Sequence, residues 1–227
     1  MQNIKVAVDA VVFGYKESKL YVLLINQKYG PFQNTWCLPG GLVDDKETLN
    51  QAVRRELKEE TGITVKYLEQ LYTFGDDVLR DPRNRVISVS YLALVNATKF
   101  NPKAATDAQD VNWFELNKVP KLGFDHKLIL KKAISRLKAK LNYQPIGFDL
   151  LEKEFPFSDL ERLYTAILEK PLDRRNFRKK VLGYGFLEET GKLRSEGAGR
   201  PGMLYRFNAK KYKDLVEQGI YFEIKYV

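Results

Sequence analysis

The sequence predicts an α/β protein, with an α/β/α sandwich over residues 1–143 and a small α+β domain over residues 144–227. Three observations support this prediction. Hydrophobic residues make up 44% of the 227 residues, which is enough for two buried cores. Strand-like and helix-like apolar spacing alternates in the first part. A helix-breaking segment at Asn142–Gly147 then precedes a second run of elements too long to be a tail.

The first domain contains four long strand-like stretches and one shorter one. They are Ile4–Phe13, Leu20–Asn26, Lys66–Phe74, Val86–Val95 and the short Val111–Glu115. Tyr15–Lys19 forms the turn between the first two. A helix is predicted from about Asp125 to Leu141, because Leu128, Ala133 and Leu137 recur at helical spacing.

A further helix lies within Gly41–Ile63, which reads GLVDDKETLNQAVRRELKEETGI. Its apolar stripe is formed by Leu49, Ala52, Val53 and Leu57. We expect Asp44 or Asp45 to cap its start and Gly62 to end it. Before it, Pro39, Gly40 and Gly41 predict a tight bend whose two glycines allow main-chain groups to approach a ligand closely.

Glu56, Glu59 and Glu60 fall within one turn of this helix, because residues three and four apart share a helix face. Three adjacent carboxylates repel one another, and a hard divalent cation relieves that repulsion. The spacing therefore indicates Mg²⁺ or Mn²⁺ as a cofactor. An ordinary solvated acidic helix is the alternative, but it does not explain why Gly41, Arg55 and Gly62 stand at fixed distances from these glutamates.

The segment resembles the Nudix box. Its fixed positions are filled by Gly41, Glu47, Arg55, Glu56, Leu57, Glu59, Glu60, Gly62 and Ile63. The resemblance implies a Nudix fold in which Glu56, Glu59 and Glu60 hold the metal against a diphosphate and water attacks phosphorus. It also implies a structural role for Glu47 and Arg55, and a further carboxylate outside the box. Asp107, Asp110 and Glu115 are the candidates for that carboxylate.

The second domain begins with two helices joined by a turn. Ser158–Glu161 has a capping-box pattern that opens a helix to about Glu169, and Asp173 is placed to cap the next helix. A strand from Phe186 to Glu189, a basic glycine-rich tip at Thr190–Gly202 and a strand from Met203 follow. Two helices joined by a turn, the second of them basic, and a β-hairpin after them together resemble a winged helix-turn-helix.

The basic residues of this domain predict contacts with double-stranded DNA. Residues 173–206 contain nine Lys and Arg against four Asp and Glu. In a helix-turn-helix the second helix enters the major groove, where arginine pairs with guanine and asparagine with adenine. The candidates on the helix are Arg174, Arg175, Asn176, Arg178 and Lys179, and those on the hairpin tip are Lys192, Arg194 and Arg200. A solvated basic face on an accessory domain is the alternative.

The whole chain resembles the Nudix-related transcriptional regulators. Besides the box, the resemblance rests on Arg80–Arg83, Phe124–His126, Pro145–Phe148 and Arg174–Lys179. It implies a regulator whose Nudix domain binds a nucleotide-sugar or sugar effector, with ADP-ribose first, and whose winged helix binds operator DNA as a homodimer. Because the box is complete, Mg²⁺-dependent hydrolysis of a diphosphate stays open. The alternative is a Nudix pyrophosphohydrolase, similar to an ADP-ribose pyrophosphatase, with an accessory winged helix.

Candidate effector residues surround the box in the sequence. Besides Gly40 and Gly41, we expect Arg80, Arg83 and Arg85 to clamp phosphates. Tyr72, Phe74 and Trp113 are candidates for stacking on a base or sugar, although an aromatic residue on a strand more often belongs to the core.

Composition excludes several other classes of protein. The single cysteine, Cys37, excludes an intrachain disulfide, and the single histidine, His126, excludes a Cys/His zinc site. The longest apolar stretches stop near ten residues, which is too short to cross a membrane, and the N-terminus lacks a signal pattern. A net charge of +9 fits attraction to phosphates. The sequence therefore predicts a cytoplasmic protein.

Overall fold

A computed structural model describes residues 3–100, 102, 108–195 and 201–223. The chain divides into two compact units, one of Met1–Lys16 with Leu20–Arg136 and one of Glu17–Lys19 with Leu137–Val227. The division falls inside a long helix near residue 137. The limits 1–143 and 144–227 therefore stay predictions. Among the described residues, no helix is long and apolar enough to cross a membrane.

In the residues that the structure describes, the first unit is built on a seven-stranded sheet with two α-helices. Its elements are β1 (Lys5–Lys16), β2 (Lys19–Gln27), β3 (Trp36–Cys37), β4 (Gly40–Leu42), α1 (Leu49–Thr61), β5 (Tyr67–Phe74), β6 (Val86–Asn96), β7 (Ala108–Glu115) and α2 (His126–Tyr143), of which the end of α2 belongs to the second unit. The strand order is β3-β2-β1-β6-β5, with β4 paired to β1 and β7 paired to β2. All five strand-like stretches and both helices of the predicted first domain are present.

The centre of the sheet is the parallel pair β1 and β6, in register from Lys5 opposite Val86 to Tyr15 opposite Asn96. Parallel strands buried on both faces read as continuous apolar runs, which explains the composition of both strands. On one face of β1, Val8 and Val12 pack in the cluster that holds Val53 of α1. This packing places the box helix against the sheet.

The start of α1 differs from the prediction. Thr48 is the N-cap: its hydroxyl accepts from the Gln51 N–H, and the Gln51 side chain accepts from the Thr48 N–H. A reciprocal capping box this close to the apolar run satisfies two helix N–H groups, so the expectation of a cap at Asp44 or Asp45 was wrong. Gly62 ends the helix at φ 71°, as predicted. The chain bends at Pro39, and Gly40 and Gly41 continue as β4.

The described part of the second unit contains a three-stranded sheet and three α-helices. Its elements are β8 (Phe155–Pro156), α3 (Phe157–Leu168), α4 (Arg174–Gly183), β9 (Leu187–Arg194), β10 (Gly202–Phe207) and α5 (Ala209–Glu217), with the sheet order β8-β10-β9. Asp173 caps α4 by accepting from the Asn176 N–H at 3.1 Å, as predicted.

Two local predictions in the second unit were wrong. Pro156 is the N-cap of α3 and makes no side-chain cap bond, because the chain passes directly from β8 into the helix and Ser158 already lies inside it. The hairpin tip is shorter than Thr190–Gly202, because β9 continues to Arg194. The predicted tip residues Lys192 and Arg194 therefore lie within a strand.

Candidate effector cleft and DNA-binding face

A cleft of about 380 Å³ opens beside the box helix. β1, β4 and α1 contribute to its wall, together with the segments that precede β6 and α2. The lining side chains with chemical roles are Asp9, Arg55, Glu56, Glu60, Arg80, Asp81, Arg83, Phe124 and His126. Of the predicted site residues, Gly40 and Gly41 also line this cleft, whereas Glu59 and Arg85 are not part of its described wall.

Gly40 and Gly41 each stand where a side chain would overlap a neighbouring element. A Cβ on Gly40 would lie 2.1 Å from the Val8 carbonyl oxygen of β1, and one on Gly41 would lie 2.3 Å from Glu56 Oε1 of α1. The Gly40 N–H donates to Glu60 Oε2 at 2.8 Å. Gly40 therefore allows β4 to lie against β1, and Gly41 leaves the space that the Glu56 carboxylate occupies.

Arg55 is the hub of the box. Its Nη2 and Nε atoms donate to the two carboxylate oxygens of Glu47 at 2.6 and 3.0 Å, and Nη2 also donates to the Leu42 carbonyl at 3.1 Å. Its Nη1 atom donates to both Glu56 Oε1 at 2.9 Å and Glu59 Oε2 at 3.1 Å. The bond from Arg55 lowers the pKa of Glu47. This geometry gives Glu47 and Arg55 the structural role that the family resemblance implies.

Glu56 is the carboxylate of the box most affected by the cleft. Its side chain is only 14% exposed. Burial raises its pKa above the ordinary value, and the opposing effect of Arg55 does not cancel that rise. A carboxylate with a raised pKa at a cleft wall is a suitable proton acceptor.

The carboxylates of the box fit a hard divalent cation by their chemistry. Among the described residues, no three acidic, histidine or cysteine side chains form a ready metal cage. Two carboxylates nevertheless converge on one positive atom, Nη1 of Arg55, which lies about 3 Å from oxygens of Glu56 and Glu59. Carboxylate oxygens are the ligands that a hard divalent cation prefers. The donor set therefore fits a divalent cation.

A buried polar network forms the floor of the cleft. Arg80 donates to both oxygens of Asp125 at 2.9 and 2.6 Å and to Asp9 at 3.3 Å, and its side chain is only 3% exposed. The hydroxyl of Ser88 also donates to Asp9. Burial alone would raise the pKa of Asp9, but His126, Arg80 and Ser88 lower it to about 2. Arg80 is thus held by two carboxylates within the protein.

His126 accepts from the backbone of the neighbouring chain segment. The Leu38 N–H donates to its Nδ1 atom at 2.9 Å, and its Nε2 atom lies 3.3 Å from Asp9 Oδ1. Burial lowers the pKa of His126 while the Asp9 charge raises it, with a net rise to about 9. Protonation would, however, place a second N–H on Nδ1 against the Leu38 donor. The geometry therefore supports the neutral ring with its proton on Nε2, donated to Asp9.

The other two predicted arginines have separate places. Arg83 lines the cleft, pairs with Asp81 through two bonds of 3.0 and 2.7 Å, and is 53% exposed. Arg85 instead donates to the carbonyls of Gly75 at 2.7 Å and Asp77 at 3.5 Å. Only Arg83 of the three arginines therefore combines a place in the cleft with an exposed side chain.

The remaining candidates of the first domain do not meet the glutamates. Tyr72 and Phe74 line a different pocket, beside α2, and Trp113 lines a third one. Asp110 and Glu115 lie on β7, outside the described wall of the cleft. Asp107 lies outside the described residues.

Asp9, Phe124 and His126 line the cleft, although the sequence did not predict them there. The signal for Asp9 is present in the sequence, since it is the one charged residue in the apolar run VAVDAVVF. A carboxylate in such a strand is rarely buried without a partner. The signal for its partners is absent, because Arg80 and His126 are brought to it only by the fold.

The second unit presents the first turns of α4 to solvent. Arg174, Arg175, Asn176 and Lys179 are exposed there. Arg178 is also exposed, but its guanidinium lies 4.7 Å above the Phe157 ring and 5.8 Å from the Tyr205 ring, and it donates to the Tyr205 hydroxyl at 3.1 Å. It links α4 to α3 and β10.

The predicted wing residues are paired within the protein. Lys192 donates to both carboxylate oxygens of Glu154 at 2.9 and 3.1 Å, and Arg194 donates to Asp159 at 2.6 Å. Asp159 also binds Arg162. Arg200 lies outside the described residues. The pairs therefore fix β9 to the segments around α3.

Comparison with known domain families matches both units. The NUDIX domain model matches residues 3–134, and the model described as the NrtR DNA-binding winged helix domain matches residues 147–207. The first match alone covers more than half of the chain, and the two follow one another in the order of the units.

Two curated relatives show different parts of this arrangement. The ADPR responsive transcriptional repressor NtrR of Acinetobacter baylyi is 34% identical over 209 residues, which is 90% of this chain and 82% of the relative. The ADP-ribose pyrophosphatase of Methanocaldococcus jannaschii is 44% identical over 128 residues, which is 56% of this chain and 70% of the relative. The repressor thus matches nearly the whole chain and the enzyme only part of it.

The solved structures of Shewanella oneidensis NrtR are also similar. Its complex with a 27mer DNA has a TM-score of 0.78 at 33% identity and covers 92% of this chain and 95% of that one. Its NUDIX domain complexed with ADP ribose has a TM-score of 0.54 at 34% identity and covers 60% and 90%. The chain therefore belongs to the NrtR family of transcriptional regulators, which join a Nudix domain to a winged helix.

Proposed function

We propose that this protein is a transcriptional regulator that binds operator DNA through its winged helix and changes its DNA affinity when ADP-ribose occupies the Nudix cleft. One observation carries the proposal: a NUDIX domain and an NrtR DNA-binding winged helix follow one another in a single chain. The cleft bordered by the box glutamates Glu56 and Glu60 supports the ligand part of the proposal, and the exposed basic helix supports the DNA part.

The DNA contacts are assigned to the start of α4. Arg174, Arg175, Asn176 and Lys179 are exposed on consecutive turns, where a recognition helix meets base edges and phosphates. We assign a supporting role to Arg178, Lys192 and Arg194, because each already contacts groups of its own domain. These supporting residues hold α4 and the hairpin in the geometry that binds DNA.

The effector is assigned to the cleft of the Nudix domain. Glu56, Glu59 and Glu60 would hold Mg²⁺ or Mn²⁺, which would offset the charge of the diphosphate of ADP-ribose. Gly41 leaves room for the Glu56 carboxylate, because it adds no side chain between β4 and that glutamate. Arg80 supports the floor of the cleft rather than the ligand, since two carboxylates already hold its guanidinium.

Slow hydrolysis of ADP-ribose is a second candidate function. It is favoured by the complete glutamate set of the box. A bound divalent cation would supply Lewis-acid stabilisation of the diphosphate and a more acidic water. The attacking water would form a bond to one phosphorus and give its proton to a general base, while the bond from that phosphorus to the bridging oxygen breaks and that oxygen leaves on the other phosphate.

A homodimer in the cytoplasm completes the proposal. One winged helix reads only a half-site, so a two-fold dimer on a pseudopalindromic operator gives the required length of contact. A protein that binds operator DNA acts where the DNA lies, which we propose is the cytoplasm. Sedimentation of the free protein and of its DNA complex tests the stoichiometry.

DNA binding with and without ADP-ribose tests the main proposal. Fluorescence anisotropy would measure the affinity for duplexes tiled across the region upstream of the gene and its neighbours. We expect one duplex to bind specifically and ADP-ribose to change that affinity at fixed salt. The double variant Arg174→Ala/Arg175→Ala should lose binding, whereas Lys210→Ala/Lys213→Ala, with the same loss of charge on exposed α5, should keep most of it.

The outcomes separate the two functions. Specific DNA binding that ignores ADP-ribose would contradict the sensor role. Absence of any specific duplex, together with release of AMP from ADP-ribose in the presence of Mg²⁺, would favour the enzyme. Glu56→Gln should stop that release without unfolding the protein.

A further inference from the structure

We propose that Arg83, backed by Phe124, is the stacking platform for the adenine ring of ADP-ribose. This inference rests on the proposed function and assigns one part of the ligand to one part of the cleft. Both residues line the same cleft as the box glutamates. Neither belongs to the glutamate cluster, so they are available for a different portion of the ligand.

The guanidinium of Arg83 is fixed as a flat surface. Asp81 accepts from its Nε atom at 3.0 Å and from its Nη2 atom at 2.7 Å, and also from the Arg83 backbone N–H at 2.9 Å. Asp81 itself is buried, with its side chain 7% exposed. A bidentate pair to an immobile partner holds the plane of the guanidinium in one orientation while leaving the side chain half open to the cleft.

The Phe124 ring lies close to that guanidinium. The Arg83 guanidinium carbon lies 5.8 Å from the centre of the Phe124 ring. The same ring packs against Phe32, with centroids 4.2 Å apart, and stacks on His126 at 5.0 Å. A row of aromatic rings therefore runs from the buried network up to the guanidinium.

The backbone at Phe124 is held in a conformation that phenylalanine seldom adopts. Its φ angle is 49°, in the left-handed region, and no glycine stands there to relieve the strain. The preceding Gly123 is tied down, because its N–H donates to the Trp36 carbonyl at 3.0 Å. Non-glycine residues in this region concentrate at functional sites, where the fold maintains them for a purpose. Here the strained residue places its ring behind Arg83.

The charge distribution favours a base over a phosphate at this position. The Arg83 charge is already matched by Asp81, and the bond from Arg83 lowers the pKa of that carboxyl, which keeps it ionised. The pair offers little net attraction for an anion, in contrast to a divalent cation on Glu56 and Glu59. A flat guanidinium over an aromatic ring is instead the surface on which nucleobases stack. The earlier expectation of Arg83 as a phosphate clamp is thus replaced by a platform for the base.

The test separates the two halves of the ligand. Calorimetry on the full chain would measure the affinity for three ligands: ADP-ribose, AMP, which contains adenine, and ribose 5-phosphate, which does not. Arg83→Lys keeps the charge but removes the planar guanidinium. We expect it to weaken the binding of AMP and ADP-ribose by about 10-fold, a typical effect of losing one stacked base. Ribose 5-phosphate should change by less than about 2-fold, within ordinary mutational variation. Phe124→Leu should give the same pattern, and Arg136→Lys, outside the cleft, should change none of the three.

Each other outcome has one meaning. If the wild-type protein does not bind ADP-ribose, the proposed function fails and this inference fails with it. If the wild type binds ADP-ribose but Arg83→Lys keeps full affinity for AMP, or loses AMP and ribose 5-phosphate equally, the platform is wrong and the proposed function stands. Thermal unfolding of each variant identifies any loss that comes from misfolding.

Discussion

The Glu56 carboxylate lies directly over the Cα atom of Gly41, so that a Cβ added at residue 41 would be 2.3 Å from Oε1 and 2.7 Å from the carboxylate carbon. The first glycine of the box is therefore a condition for the place of the glutamate. Its role is steric, and the ligand-binding role that the sequence suggested for it follows only through Glu56.

Gly41→Ala should consequently displace Glu56 from β4. The overlapping atoms are the end of the Glu56 side chain, so this side chain must turn away from β4. We expect weaker ADP-ribose binding and a loss of unfolding free energy at the lower end of the usual cost of overpacking, about 1 kcal/mol. Urea unfolding and calorimetry measure the two effects. The control is Gly183→Ala, where no neighbouring atom lies within 4 Å of the added Cβ, so stability should not fall. Equal losses of stability in both variants would contradict the steric role of Gly41.

Glu56→Gln should stabilise the protein at neutral pH while removing any hydrolysis. Burial raises the folded-state pKa of Glu56, so its ionisation opposes folding, and that opposition grows as pH rises above the unfolded value of 4.5. The variant should therefore unfold at a higher temperature than the wild type at pH 7, and the difference should shrink toward pH 4.

Glu59→Gln is the matched control for this prediction. It pairs with the same Arg55 nitrogen, but its side chain is 47% exposed, so no comparable desolvation is relieved. A melting temperature that does not rise in Glu56→Gln at pH 7 would show that the Arg55 bond outweighs the burial of the carboxylate.

Asp9→Asn should be strongly destabilising. The change removes the charge that faces Arg80 and His126 in the buried floor of the cleft, and breaking one partner of a buried ion pair costs about 3–5 kcal/mol. Burial alone would raise the pKa of Asp9, but the charge of Arg80 and the hydrogen bonds from His126 and Ser88 lower it below its ordinary value of 3.8. The contribution of Asp9 is therefore present above about pH 4 and is lost at lower pH. Urea unfolding from pH 2 to 7 should show a flatter acid limb in the variant. Asp45→Asn, at an exposed residue, should follow the wild-type curve.

Local pattern was sufficient for the elements that carry the box. The spacing of Ala52, Val53 and Leu57 predicts the buried face of α1, and Gly62 ends the helix in the left-handed conformation that glycine adopts without strain. These features depend on residues within one or two turns of one another. The position of the cap was misread, because Asp44 and Thr48 compete locally and the reciprocal bond with Gln51 decides between them.

The sequence could not predict contacts between side chains that are far apart in the chain. Arg80 was expected to clamp phosphate, yet its guanidinium is taken by Asp125 and by Asp9, which is 71 positions away. Lys192 and Arg194 were assigned to DNA on the sign of their charge, and the fold brings Glu154 and Asp159 against them. Charge predicts what a side chain attracts, whereas only the tertiary structure shows whether that attraction is already satisfied.

The two kinds of arginine on α4 should separate stability from DNA binding. Arg178 contacts Phe157 and Tyr205, so Arg178→Ala should cost about 1–2 kcal/mol of unfolding free energy through lost cation–π and hydrogen-bond contacts. Arg174 is exposed, so Arg174→Ala should change stability by less than about 0.5 kcal/mol. Its effect should appear in the slope of log affinity against log salt, which falls by about 0.9 for each lost phosphate contact. Urea unfolding measures the stability, and salt-dependent anisotropy measures the salt slope. If Arg178→Ala changed the salt slope but not the stability, Arg178 would be a DNA contact rather than a structural residue.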